Sequence, residues 1–170
     1  TFEGWFTQAT GGDEIVFDDG TNTSSATDVS SITDVYAHWV QNVTVTFHEN
    51  YGQTENTTNK TISAGSSLKS SDIPTFTRAN YAFKEWNTKA AGSGTTYSNT
   101  QLQAETISSN TDYYAMWTPE NPDNAVTLTF SPTGCDAQVK PASMTVVRGD
   151  TIYAYQMPTP TKTSATGDAY

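Results

Sequence analysis

The chain has 170 residues, 35% of them hydrophobic and only 15% charged, with a net charge of −10. Its eight Lys and Arg are too few to clamp a phosphate backbone or an anionic membrane surface, so nucleic acid is not expected; without an apolar run long enough to span a bilayer, neither is membrane insertion. A single cysteine, Cys135, rules out an intrachain disulfide scaffold and leaves only a bridge to another chain. An aromatic share of 12% argues against the disorder that an acidic, Ser/Thr-rich composition would suggest.

Residues 1–5 read as a strand that buries Phe2 and Trp5. Residues 8–19 are rich in turn signals, Gly11-Gly12 and Asp18-Asp19-Gly20. Asp13, Glu14, Asp18 and Asp19 there are oxygen donors of the kind calcium takes, but they lack EF-hand spacing and read more simply as a solvated turn. Residues 22–31 are a polar loop. Residues 34–40 form a strand with Val35, Ala37 and Trp39 on one face and Tyr36 and His38 on the other. Gln41-Asn42 is a seam. Residues 43–49 alternate cleanly, Val43, Val45 and Phe47 against Thr44, Thr46 and His48. A polar turn over 50–57 leads to a partner strand at 59–64.

Residues 66–72 hold one short helical turn, and Ile73-Pro74 forces extended backbone. Residues 81–87 and 112–118 are two aromatic strands separated by a loop containing Gly92 and Gly94. PENPDN, residues 119–124, is a linker without apolar residues. Beyond it come a strand at 126–130, a turn at 131–135, a second strand at 142–147 and a strand-like run at 151–155. Residues 157–163, MPTPTKT, form another extended proline passage. No apolar 3.6-residue period persists for three turns, so long helices are not expected.

The elements occur twice, which makes an internal repeat the primary organisation. Phe2 and Trp5 answer Phe83 and Trp86, Phe17 answers Tyr97, and Val35-Tyr36-Ala37-His38-Trp39 answers Tyr113-Tyr114-Ala115-Met116-Trp117. Val43-Thr44-Val45-Thr46-Phe47 recurs as Val126-Thr127-Leu128-Thr129-Phe130, and Gly65-Ser66-Ser67-Leu68 as Gly149-Asp150-Thr151-Ile152. Tyr170 takes the place of Tyr81, and Thr1-Phe2 that of Ala82-Phe83. The last residues therefore read into the first.

The division is a complete module at 42–119, a linker at 120–125, a front half at 126–170 and a back half at 1–41. The front half is expected to be completed by a following 1–41 segment. The fold class is mainly β, in small modules that rely on large aromatics for a core. Phe2, Trp5, Trp39, Phe47, Phe83, Trp86, Trp117 and Phe130 are the expected anchors. Stacking on sugars is the competing role for exposed aromatics, and Tyr36 and Tyr114, on the opposite face, suit it better than the tryptophans.

The opening VTVTF strand, the Pro-Thr passage, an aromatic Y-x-F-x-x-W and a closing Y-A-x-W, in this order and twice, resemble the Listeria–Bacteroides repeat. This is the internalin B-repeat type of bacterial and archaeal cell-surface proteins. The resemblance implies a β-grasp-like module strung in tandem on adhesins and stalks, with no catalytic residue to carry over. The Gly before the Trp is kept as Gly4 but is Glu85 in the other copy. The Asn-Gly-Gly turn is Asn50-Tyr51-Gly52 and Pro132-Thr133-Gly134.

His38 and His48 fall on polar strand faces without clustered ligands, and no nucleophile elbow occurs. Neither an enzyme nor a cofactor is expected. Asn22, Asn42, Asn56 and Asn59 head N-x-S/T sequons, in keeping with an extracellular glycoprotein of the cell surface. The expected function is a structural repeat unit of an extracellular filament, sheath or surface stalk. Its partners would be copies of itself, head to tail, as a covalent array or a strand-complemented polymer. The alternative is an adhesin repeat that presents residues 87–100 to a host protein or glycan.

Overall fold

The computed structural model describes residues 1–17, 27–28, 30–131 and 139–161. The chain divides into two compact units, Thr1–Asn42 and Val43–Tyr170. The first contains an antiparallel pair, β1 (Phe2–Phe6) and β2 (Tyr36–Trp39).

The second unit is built on a five-stranded mixed sheet. Its strands are β3 (Asn42–His48), β4 (Thr57–Ser63), β5 (Tyr81–Asn87), β6 (Thr96–Tyr97) and β7 (Thr111–Pro119). They lie in the order β4-β3-β7-β5-β6. The first and last strands of the module, β3 and β7, are central neighbours and run parallel, the arrangement of a β-grasp sheet. The alternation of residues 43–49 sets the inner face: Val43, Val45 and Phe47 are buried while Thr44, Thr46 and His48 are only half-buried. Phe47 and Trp86 meet edge to face at 4.9 Å over this sheet, the geometry that ring quadrupoles favour.

A six-residue helix, α1 (Asn99–Ala104), closes the core with a fully buried Leu102. Ser98 caps it by accepting from the Gln101 N–H, and the Gln101 side chain returns a bond to the Ser98 N–H. Both orphan donors at the helix start are thereby satisfied. The segment is expected as loop from sequence, because six residues are too short for an amphipathic period to show.

The residues expected as the front half of the second copy form the hairpin β8 (Ala125–Thr129) and β9 (Ser143–Val147). It does not stand apart from the complete module: β9 packs against β7 within the same compact unit. The linker between them is a short 3-10 turn, Pro122–Asn124, capped by the Asn121 side chain.

The strand-like run expected at 151–155 is instead a coil leading into a 3-10 turn at Ala154–Gln156. Gln156 accepts from the Tyr153 N–H and donates to the Asn50 carbonyl, while the Tyr155 hydroxyl donates to the Gly52 carbonyl. These bonds outweigh the β tendency of a Tyr-rich run. The complete module has its own 3-10 turn at the equivalent place, Ser70–Asp72, directly before Ile73-Pro74. Gly65 and Gly149, which also correspond, share a left-handed φ of 85° and 90°, a conformation only glycine adopts without strain. The repeat thus extends to local backbone shape.

Candidate functional site

The β1–β2 hairpin reproduces β5–β7 residue for residue. Phe2 pairs with Trp39, Trp5 with Ala37 and Phe6 with Tyr36, with an irregularity between Phe2 and Gly4. In the complete module Phe83 pairs with Trp117, Trp86 with Ala115 and Asn87 with Tyr114, with the irregularity between Phe83 and Glu85. The aromatic triads match as well. Phe83 lies 5.1 Å from Trp86 and 6.0 Å from Trp117; Phe2 lies 5.8 Å from Trp5 and 5.4 Å from Trp39.

The triads differ in what covers them. Trp86 is 1% exposed beneath Phe47 and α1, with its indole N–H donated to Asn99 at 2.8 Å. Trp117 is half-buried and donates to the Glu49 carbonyl. Phe2, Trp5 and Trp39 are 44%, 40% and 72% exposed. These three, expected as core anchors, therefore anchor no core within this unit. The reason is that, among the described residues, β1–β2 is a two-stranded sheet with no strand in the position that β3 fills beside β7. Phe130, the last expected anchor, is half-buried just beyond β8.

A third strand segment does flank β1. Glu14 bridges to Phe6, and the Ile15 N–H donates to the Trp5 carbonyl at 2.7 Å. Since Trp86 pairs with Tyr97 on β6, the register makes Ile15, 3% exposed, the counterpart of Tyr97. Phe17, assigned that place by aromatic matching, is 63% exposed. The side chain of Glu14 lies over Gly4, so close that a Cβ there would come 2.8 Å from its Oε1. A side chain at this position, such as the Glu85 of the other copy, would displace the flexible end of Glu14.

A second constellation joins the β8–β9 hairpin to the complete module. The Tyr81 hydroxyl accepts from the Val147 N–H at 2.6 Å and donates to Asp150 at 2.7 Å. Arg78 completes it with an ion pair to Asp150 at 2.9 Å and its guanidinium 3.7 Å over the Tyr81 ring. Burial pushes the Tyr81 phenol above its ordinary value, and the Val147 N–H opposes this in part. A cavity of about 390 Å³ lies alongside, lined by Glu85, Met116, Ser143, Thr145 and Gln156 among others. At its inner wall Asn50 holds a positive φ of 56° and donates to the Ala90 and Ala115 carbonyls.

The 88–95 loop is tied by Asn87, which is fully buried. Its Oδ1 accepts from the Lys89 and Gly94 N–H groups, and its Nδ2 donates to the Gly94 carbonyl. Tyr36, on β2, is exposed, whereas Tyr114, on β7 of the five-stranded sheet, is half-buried and stacks on His48 at 4.2 Å. Burial raises the Tyr114 pKa.

The fold brings two acids to His48 that sequence spacing did not reveal: Glu55 at 3.1 Å from Nδ1 and Asp112 at 2.9 Å from Nε2. They sit on different ring nitrogens and so do not converge on a common point. Among the described residues no three His, Cys, Asp or Glu gather to hold a metal. Asp18, Asp19 and Gly20 of the calcium reading lie outside the described residues, as do the sequon Asn22 and Cys135. Of the other sequons, Asn56 and Asn59 are exposed on and beside the edge strand β4. Asn42 is exposed at the start of β3, where its Oδ1 accepts from the Thr1 hydroxyl.

The family model of the Listeria-Bacteroides repeat domain matches residues 1–38 and 44–116. The chain belongs to the Listeria-Bacteroides repeat family. The two matched stretches cover most of the two aromatic hairpins whose pairing coincides, stopping one residue short of Trp39 and of Trp117, so the family's mark on this chain is a shared register as well as a sequence pattern. Listeria-Bacteroides repeats are surface-protein domains and are not known as enzymes. Among the described residues no helix is long and apolar enough to cross a membrane. No curated protein and no solved structure matches the chain.

Proposed function

We propose that this chain is a structural repeat unit of an extracellular filament, sheath or surface stalk, its modules set in series with copies of itself head to tail. The observation that carries the reading is the fixed junction between one module and the first hairpin of the next. Tyr81, Arg78 and Asp150 tie β9 to β5 through hydrogen bonds, an ion pair and a stacked guanidinium. Contacts of this kind set the angle between successive modules, which a stalk needs and a string of independent beads does not.

Mass-per-length measurement on the native material tests the reading. A regular axial repeat with a constant mass per length is expected. A monodisperse, non-assembling monomer on the cell surface would sink it. Extracellular placement, glycans at Asn22, Asn42, Asn56 and Asn59, and a bridge through Cys135 belong to the same proposal. A mass shift after enzymatic deglycosylation and a reducible band on a gel check them.

An adhesin repeat is the second reading, favoured by the way Asn87 holds the 88–95 loop in one conformation. A preordered loop loses little entropy on binding a host protein or glycan. It predicts ligand-saturable binding by the monomer, abolished by Asn87→Ala.

A further inference from the structure

We propose that residues 33–36, the segment that runs into β2, receive along their outer edge residues 128–131 of a second copy, the end of β8 and the two residues after it, the two segments running parallel, with Phe130 of that copy covering Trp5. The inference rests on the reading of the chain as a repeat unit in series and adds its contact surface and register. It holds whether the copies are separate chains or consecutive stretches of one polypeptide.

The complete module shows what such a hairpin lacks. There β3 lies parallel to β7, with Val45 opposite Thr111, Thr46 opposite Asp112, Phe47 opposite Tyr113 and His48 opposite Tyr114. Phe47 then sits on Trp86, and the triad is covered. The β1–β2 hairpin has the register of β5–β7 and the same ring geometry, but among the described residues nothing pairs with the outer edge of β2. An unpaired edge beside exposed tryptophans is a template for another strand.

β8 answers that edge. Val126, Leu128 and Phe130 repeat the inward set Val43, Val45 and Phe47, and all three are only half-buried in their own hairpin. Among the described residues β8 pairs with β9 alone, so its other edge is also open. Each hairpin thus carries the part the other is missing.

The repeat fixes the register. Leu128 falls opposite Thr33, Thr129 opposite Asp34, Phe130 opposite Val35 and Ser131 opposite Tyr36. Leu128 is larger than Val45 and makes up part of the volume lost where Val35 stands for Tyr113 and Ile15 for Tyr97.

The test uses the full chain with Cys135→Ser throughout. One preparation carries Asp34→Cys and another Thr129→Cys, both at exposed positions, so neither change disturbs a core. Mixed under a mild oxidant, they should form a disulfide-linked heterodimer. Opposed residues on adjacent strands fall within the Cα separation a disulfide spans, whereas a two-residue slip moves them past the ~7 Å limit. The control pair Asp34→Cys with Thr127→Cys should therefore cross-link at least ~10-fold less. Acrylamide quenching of tryptophan emission should fall on mixing as Trp39 and Trp5 are covered.

Equal yields from both pairs, or none from either while the native material still shows its axial repeat, would overturn the strand pairing and leave the repeat-unit reading standing. Failure to assemble in any form would overturn both. A chain carrying both cysteines that closes on itself as a monomer, rather than forming a ladder, would overturn the second copy as the occupant.

Discussion

Tyr81→Phe removes one oxygen and tests whether the junction is held as the structure shows. The ring stays, so burial and the Arg78 stacking at 3.7 Å persist. What goes is the acceptor for the Val147 N–H and a donor to Asp150, which keeps its Arg78 partner. Val147 is only 7% exposed, so its N–H is left without water or a carbonyl. A buried donor in that position costs about 1–3 kcal/mol. With Asp150 still paired, a net loss of about 2 kcal/mol is expected, or about 30-fold in the local opening equilibrium of the β8–β9 hairpin. Amide hydrogen exchange reads this directly: Val147 should exchange about 30-fold faster while amides of β3 and β7 hold their protection. Unchanged exchange at Val147, or equal acceleration in β3 and β7, would refute the reasoning. The first result would mean that the hydroxyl carries no weight, and the second that the hairpin and module open as a single unit.

Trp86→Ala should cost the five-stranded module about 3–5 kcal/mol, seen as a lower urea midpoint; Trp5→Ala, at a site 40% exposed, should leave that midpoint unchanged. Ser98→Ala strips the cap from α1 and should cost about 1 kcal/mol in the same assay. Burial pushes the Tyr113 phenol up to about 12. Its contribution to stability is therefore complete below pH ~10 and lost as pH rises through ~12. Thermal melts across that window should show the loss, and Tyr113→Phe should lessen it. A titration followed by phenolate absorbance should likewise show Tyr155, also pushed up to about 12, ionising late.

The fold was readable where each face of a strand had its own chemistry. Val43, Val45 and Phe47 alternate with polar neighbours, and their burial follows from that pattern alone. The aromatic hairpins were readable because the same residues recur. What escaped depended on contacts far apart in sequence. Residues 151–155 look like a strand until the Gln156 and Tyr155 side chains find carbonyls at Asn50 and Gly52, 106 and 103 residues away. Matching aromatic to aromatic chose Phe17 as the partner of Tyr97, whereas backbone hydrogen bonds choose Ile15. The start of α1 did carry a signal in the Ser98-x-x-Gln101 capping box. For the candidate site, the tryptophans were visible from sequence, but not that one triad is covered and the other bare. The Tyr81–Asp150–Arg78 junction left no local trace, because Asp150 is 69 residues from Tyr81.

The parallel contact of β3 with β7 has a mechanical consequence. Tension passing along the polypeptide through this module enters at the beginning of β3 and leaves at the end of β7. Because the two strands point the same way, these are opposite ends of one ladder. The pull therefore slides one strand along the other and strains all the rungs together, instead of opening them one after another from a free end. Resistance to stretching is thus wired into the topology, and the rate of forced rupture, more than equilibrium stability, sets how long such a module endures under tension.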